Sequence, residues 1–222
     1  MITVPHTLVD IIKQSTLHCS LPIRVELHYA TPHNFTGQIV SGYQPSAFNR
    51  GLMSTKAATQ LCQVQEYALI NYGCTLLIYD AYRPLRAAKS FIAWSQTPEN
   101  NARDLELKAY YYPDIEKHQL TALGYIAENI SAHCYGHTVD VVLADHETGK
   151  PIDMGTPFDF FGPRSHPHVD ANEIGIMAYR NRHILRLMMQ RFGFVASDIE
   201  YWHFEFSERE IDFPMDFELH LI

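Results

Sequence analysis

The ten residues from Ser131 to Asp140 constrain this chain more than any other stretch. They read Ser-Ala-His-Cys-Tyr-Gly-His-Thr-Val-Asp and run directly into Val141-Val142-Leu143. Two imidazoles, a thiol and a carboxylate thus precede an apolar segment of strand character, and Gly136 lets the backbone turn between His133 and that segment. If the run from Thr138 is a strand, Thr138, Asp140 and Val142 share a face, which puts a carboxylate on a buried surface. An isolated carboxylate there is costly, and a metal ion would supply its partner. A polar loop entering a buried strand is the alternative for this stretch taken alone. A second cluster, Glu200-Tyr201-Trp202-His203-Phe204-Glu205, favours the metal, because it sets another His beside a carboxylate in an apolar context. The two clusters together contain the His, Asp, His and free Glu that a hydrolytic zinc site needs. Cys134 directly follows His133, so a packed thiol is the better reading than a ligand.

The remaining chain alternates strand and helix patterns. Within 21–29, Ile23, Val25, Leu27 and Tyr29 alternate with Arg24, Glu26 and His28, which predicts a half-buried strand with His28 on its solvent face. Residues 1–20 predict a weak leading helix or arm, and 38–43 a short extended segment. From Ser54 the spacing of Ala58, Leu61, Cys62, Gln65, Ala68 and Leu69 predicts a helix ending before Gly73. Cys74 to Asp80 reads as a strand, and a helix follows from about Leu85 to Trp94. Arg83 lies between them, held extended by Pro84. Its guanidinium suits a substrate carboxylate or oxyanion, and equally a salt bridge to Asp80. Tyr110, Tyr111 and Tyr112 read as packing residues at a break, and residues 114 to about 130 as a helix. Asp159 is either a turn-capping acid or an acceptor for a substrate ammonium. Asp170 caps a long helix to about Phe192, whose Arg180, Arg182, His183, Arg186 and Arg191 form a solvated basic side. Strand propensity returns at 194–206, and alternation at 204–213 extends or edges the same sheet. Glu200 and His203 are three residues apart, so an ideal strand would point them to opposite faces; a bend at Tyr201 and Trp202 is required if both serve one ion.

Composition narrows the function classes. At 222 residues, with 46% hydrophobic and 19% charged side chains, the chain is expected to fold as one catalytic domain over 1–222 with a substantial core. A net charge of −8 and the lack of a basic run disfavour nucleic-acid binding. No stretch approaches the roughly 18 to 20 apolar residues of a membrane span, and the N-terminal residues lack a signal-peptide pattern, so a cytoplasmic location is expected. Cys19, Cys62, Cys74 and Cys134 are scattered and are expected to be free thiols.

The motifs resemble those of the D-alanyl-D-alanine dipeptidase family, related to zinc D-Ala-D-Ala carboxypeptidases. Ser131-Ala132-His133, Gly136 and Asp140 match its first metal motif, and Glu200-Tyr201-Trp202-His203 the second. Tyr29-Ala30-Thr31 with Asn34-Phe35-Thr36-Gly37, Tyr82-Arg83-Pro84, and Met154-Gly155-Thr156 through Asp159 also match, all in order between residues 29 and 205. The resemblance implies a zinc D-Ala-D-Ala peptidase-like α+β fold: a single domain with a central, largely antiparallel sheet and surrounding helices. It implies one Zn²⁺ held by His133, Asp140 and His203, Glu200 as general base and Arg83 as oxyanion stabiliser. It also implies recognition of a small D,D-dipeptide's ammonium by Asp159, with Tyr43 and Ser131. His137 stands where the family commonly has a smaller residue; it sits behind the ligands or narrows the entrance. No obligate protein partner is inferred. Hydrolysis of D-alanyl-D-alanine is the leading expectation. A D,D-carboxypeptidase or other small-peptide zinc hydrolase, and a non-enzymatic metal-dependent binding protein, are the alternatives.

Overall fold

The chain folds around two long apolar strands that nothing polar interrupts until their ends. A computed structural model describes residues 7–219; the first six residues of the expected leading arm lie outside the described part. In chain order the elements are β1 (Leu8–Asp10), α1 (Ile11–His18), β2 (Arg24–Val25), β3 (Leu52–Ser54) and α2 (Thr55–Tyr72). They continue with β4 (Cys74–Asp80), α3 (Leu85–Ser95), α4 (Ala102–Tyr111), β5 (Thr138–Asp145), α5 (Ala171–Ile174), α6 (Ile176–Arg191), β6 (Phe194–Ala196) and β7 (His203–Phe206). The main sheet has the order β2-β4-β5-β7-β6, and β1 pairs with β3 separately. Only β2–β4 is parallel; every other pairing is antiparallel. The α+β architecture with a largely antiparallel sheet is therefore as expected. Most of the buried apolar residues form one continuous core cluster.

All seven residues of β4 are buried, as are the first seven of β5. Such strands are covered on both faces, which explains their unbroken apolar runs. Gly73 turns α2 into β4 in a left-handed conformation, φ 61°, its N–H capping the carbonyls of Ala68 and Leu69. Because β4 and β5 run antiparallel, the end of one meets the start of the other. Asp80 pairs with Asp140 after a register shift, and Asp140 pairs in turn with His203 on β7. The polar residues at these strand ends thus converge at one edge of an otherwise apolar sheet.

Several expectations are corrected. The strand over 21–29 shrinks to Arg24–Val25, and His28 begins a 3₁₀ turn, His28–Ala30. His28 does not face solvent: it packs 4.2 Å from Tyr79 and 5.2 Å from Phe158 between ring centroids, and burial lowers its pKa to about 4. The alternation was right about burial, since Ile23, Val25, Leu27 and Tyr29 are all in the core. Residues 38–43 form no strand; the Val40 N–H folds back to the Tyr29 carbonyl, 3.0 Å. The helix expected from 114 to 130 is only a 3₁₀ turn, Lys117–Gln119, followed by turns. Gly124 is left-handed there, φ 86°, and the Leu120 carbonyl accepts both the Tyr125 and Ile126 N–H groups, which ends any helical ladder. The long helix expected from Asp170 breaks at Gly175, φ 86°; Asp170 caps only α5. Arg182 of α6 is buried rather than solvated. Strand structure stops at Phe206, and residues 207–219 wrap back so that Met215 bonds Cys134 and Leu85 through its backbone. No helix among the described residues is long and apolar enough to cross a membrane.

Candidate active site and metal centre

His133, Asp140 and His203 meet where the central strands end, each carried by a different element. The 3₁₀ turn Ala132–Tyr135 presents His133 and closes on Gly136, φ 72°. A Cβ at Gly136 would lie 2.8 Å from Leu8 Cδ2, so both the conformation and the packing require glycine. β5 carries Asp140 and β7 opens with His203. His133 Nε2 is 3.2 Å from Asp140 Oδ2, His203 Nδ1 is 3.1 Å from Asp140 Oδ1, and the two ring nitrogens are 3.3 Å apart. Asp140 thus faces one ring with each of its oxygens, and with one ligand atom per residue the three groups lie within 4.8 Å of one another, close enough to share one small ion. These are the only three His, Cys, Asp or Glu side chains among the described residues that cluster tightly enough to hold a metal. Cys134 is not among them; its thiol is fully buried and burial pushes its pKa up to about 11.

The rings present the right nitrogens. His133 Nδ1 donates to the Ala81 carbonyl at 2.7 Å, which leaves the Nε2 lone pair facing the cluster. His203 turns Nε2 toward Glu205 Oε1, 3.7 Å, and Nδ1 toward the cluster. Glu205 also reaches His137 Nε2 at 3.6 Å. His137 is thus behind the ligands rather than at an entrance, and its Nδ1 is buried with no partner among the described residues. Burial works against ionisation of Asp140, yet the two imidazoles hold its carboxyl well below the usual range. Burial also opposes charge on His203, but Asp140 and Glu205 raise it to about 10. The pocket between these groups therefore favours positive charge.

Glu200 lies beside the triangle without belonging to it. Residues 200–202 form a turn rather than a strand, and the His203 N–H bonds the Glu200 carbonyl at 3.2 Å. That turn is the bend the sequence requires: it brings Glu200 Oε2 to 3.9 Å from His203 Nδ1. Burial, reinforced by Asp140, raises the Glu200 carboxyl to about 7, against the pull of His203 and Arg83.

Arg83 forms the salt bridge to Asp80 and also lines the cavity. Its Nε donates to Asp80 Oδ2 at 2.8 Å, while Nη1 and Nη2 reach Ser131 Oγ, 3.5 Å, and Asp140 Oδ2, 3.4 Å. The Tyr29 and Phe91 rings flank the guanidinium at 5.1 Å each. One edge of the fork is anchored and the other is presented to the cavity. Tyr43 is not where a substrate contact would be. It is 2% exposed, does not line the cavity, and spends its hydroxyl on Asp80 Oδ1 at 2.6 Å. Its contribution is to steady the acid that steadies Arg83.

Asp159 lines the same cavity, 3% exposed, and is the only non-glycine residue described with positive φ, 62°. Tyr29 donates to Oδ1 at 3.0 Å; Oδ2 is buried without a partner among the described residues. Burial raises this carboxyl well above its ordinary value, with Asp140 and Glu200 adding to the effect. A turn-capping role does not account for an unpaired buried oxygen, whereas an incoming cation would. The cavity holding Arg83, Ser131, Asp159 and Glu200 has a volume of about 220 Å³. The roles of Tyr29 and Glu205 were missed from sequence, whereas the Arg83–Asp80 salt bridge was one of the readings it offered. Glu205 had a signal, since it follows His203 by two residues on the same strand face.

A sheet-edge His/Asp/His triangle with a free, buried carboxylate beside it, inside an α+β fold, has the architecture of a metallopeptidase. The comparisons agree and are more specific. A family model described as D-Ala-D-Ala dipeptidase, of the M15 peptidases, matches residues 18–218. A D-alanyl-D-alanine dipeptidase of Enterococcus faecium is 37% identical over 198 residues, covering 87% of this chain and 93% of the relative. The dipeptidase of the same name from Enterococcus faecalis is 39% identical over 184 residues, 82% and 85% of the two chains. One from Streptomyces coelicolor is 38% identical over 199 residues, 87% and 93%. The chain belongs to the D-Ala-D-Ala dipeptidase family of M15 metallopeptidases.

Proposed function

We propose that the chain, as one catalytic unit over 1–222, is a zinc dipeptidase that hydrolyses D-alanyl-D-alanine to two molecules of D-alanine. The observation that carries the substrate reading is Asp159: a buried carboxylate oxygen with no partner among the described residues, in a small cavity that also holds the triangle. A free ammonium is the group that would satisfy it, and a cavity of about 220 Å³ leaves room for little beyond a short peptide. His133 Nε2, Asp140 and His203 Nδ1 would hold one Zn²⁺; two imidazoles and a carboxylate suit zinc, and three protein ligands leave a position open. The bound ion would polarise the scissile carbonyl and acidify a water molecule.

This chain's side chains do the rest. Glu200, with a carboxyl near neutrality, takes the proton of the attacking water and returns it to the nitrogen of the departing D-alanine. The Nη1/Nη2 edge of Arg83, held only by long contacts to Ser131 and Asp140, faces the charge that develops on the carbonyl oxygen, and Asp80 with the two flanking rings keeps that edge in place before substrate arrives. Asp159 and Tyr29 fix the amino end, with Ser131 on the wall beside Arg83. The cytoplasmic location belongs to the same proposal, supported by four free cysteines. So does the expectation of no nucleic-acid partner, which a net charge of −8 supports, and of no membrane or obligate protein partner.

The test is a substrate panel run with metal removed and restored. Free D-alanyl-D-alanine should be cleaved by zinc-loaded protein, with activity lost to a chelator and recovered on adding zinc. N-acetylated dipeptide should be cleaved far more slowly. Equal rates on blocked peptides would instead make the chain a D,D-carboxypeptidase, and folded, zinc-loaded protein that turns over neither substrate would leave the non-enzymatic binding reading. A smaller effect is expected at Glu205: Glu205→Gln should weaken zinc binding by about 10- to 100-fold, because an outer carboxylate orients the ring of a ligand histidine. Competition against a chelating dye measures it, and an unchanged affinity would remove Glu205 from that role.

A further inference from the structure

Arg182 is buried in α6, 4% exposed, yet makes no salt bridge to a carboxylate among the described residues. Its donors go to two loops instead. Nε donates to the Met154 carbonyl at 2.6 Å and Nη2 to Thr156 Oγ1 at 3.0 Å. Nη1 donates to the Arg164 carbonyl at 2.7 Å and is 3.4 Å from that of His166. The guanidinium lies 3.9 Å from the Tyr201 ring centroid. Burying a cation without a countercharge is expensive, so its retention calls for an explanation.

The two loops lead to the two acids of the site that no sheet ladder fixes. Met154 and Thr156 open the loop that reaches Asp159. Arg164 and His166 flank Ser165, which is fully buried. Ser165 Oγ donates to the Ile199 carbonyl at 2.9 Å, and its own carbonyl accepts the Tyr201 N–H at 3.0 Å. Ile199 and Tyr201 are the two neighbours of Glu200. The Tyr201 hydroxyl donates to the Thr156 carbonyl at 3.0 Å, which closes the ring. By contrast Asp140 and His203 are paired to each other in the sheet and to the rest of it through β4 and β7.

We propose that Arg182, acting with Ser165, is the positioning residue that sets the Glu200 turn against the Asp159 loop, and so fixes the spacing between general base and ammonium acceptor. This rests on the roles given to those two acids above. A planar fork with five donors can tie both loops and stack on Tyr201 at once; an ammonium cannot. The metal triangle lies outside the ring; its one backbone link to the turn is the His203 N–H bond to the Glu200 carbonyl, and Asp140 and His203 are otherwise fixed by the sheet.

The test uses zinc-loaded protein carrying Arg182→Lys, Arg182→Ala or Ser165→Ala, with kcat, KM and zinc affinity measured for each. Arg182→Lys should lower kcat by about 10- to 100-fold and raise KM, with zinc affinity within about twofold of wild type. Ser165→Ala, which removes the hydroxyl shared between the Ile199 carbonyl beside Glu200 and the Gly162 carbonyl, should lower kcat with little change in KM. Added guanidinium should restore part of the kcat lost in Arg182→Ala; should that variant not fold, the other two decide. Wild-type kcat and KM in folded Arg182→Lys and Ser165→Ala would overturn the proposal. So would zinc affinity that falls in step with activity, since Arg182 would then be a general scaffold residue. Glu200→Ala run alongside separates the two levels: if it alone turns over normally, the general-base assignment is at fault rather than the positioning of the turn.

Discussion

Glu200→Ala is expected to lower turnover of D-alanyl-D-alanine by about 10²- to 10⁴-fold, the usual contribution of a positioned general base, while the protein keeps its zinc. The separation follows from geometry. Each candidate ligand histidine is 3.1–3.2 Å from one of the Asp140 oxygens and the two ring nitrogens are 3.3 Å apart, whereas Glu200 Oε2 is 3.9 Å from His203 Nδ1 and outside the cluster. Removing Glu200 takes away a proton carrier and no ligand. His203→Ala removes a corner of the triangle and should lose zinc and activity together. D-alanine release and metal content after dialysis measure the two effects. A Glu200→Ala protein that works at the wild-type rate would end the general-base assignment; one that loses its zinc would make Glu200 a ligand. The size of the effect also bears on stability. Burial raises the Glu200 carboxyl to about 7, so the wild type carries a cost in its folded state that alanine relieves, and the inactive variant should fold at least as well.

The elements readable from sequence were those whose local pattern and tertiary burial agree. β4 and α2 follow from an unbroken apolar run and a glycine-terminated stripe, and both occur where those signals put them. The metal triangle was readable because His133, Asp140 and His203 sit in compact motifs, and even the bend at Glu200 could be demanded from strand geometry before it was seen. What failed depended on contacts between distant segments. Residues 114–130 have helical propensity, but Leu120 and Ile126 dock into the core while Gly124 takes a left-handed turn between them, and tertiary anchoring overrides propensity. Arg182 looked like one of five solvated cations; only the arrival of residues 154–156 and 164–166 at α6 reveals why it alone is inside. Tyr29, and not the expected Tyr43, stands beside Asp159 for the same reason. Both are buried tyrosines near the site, and which hydroxyl meets Asp80 and which meets Asp159 depends on loop paths with no periodic signal.

Asp159→Asn is expected to cost activity and return stability, with the second effect growing as pH rises. On the substrate side, the ammonium of the dipeptide loses a buried charge partner. Truncating one member of such a pair costs about 2–5 kcal/mol, or roughly 30- to 5,000-fold, and here the loss should appear mainly in KM for the free dipeptide. Cleavage of N-acetylated dipeptide, slow to begin with, should change little, so the preference for a free amino end collapses. Asparagine is the informative replacement because it tolerates the positive φ of 62° and can still accept from Tyr29. On the stability side, burial first and then the charges of Asp140 and Glu200 raise the folded-state pKa of Asp159 well above 3.8. Between that ordinary value and the folded one, the native state holds a proton that the unfolded chain has released. Raising the pH through this window therefore favours unfolding. Asparagine has no proton to lose, so the Tm advantage of Asp159→Asn over wild type, measured without substrate, should widen steadily from about pH 4 upward. Saturating wild type with a non-hydrolysable dipeptide analogue bearing a free amine should close the gap, because the bound ammonium neutralises the carboxylate. A Tm difference that is flat with pH, together with unchanged KM, would show that Asp159 is neither strained by its burial nor the acceptor of the amino end.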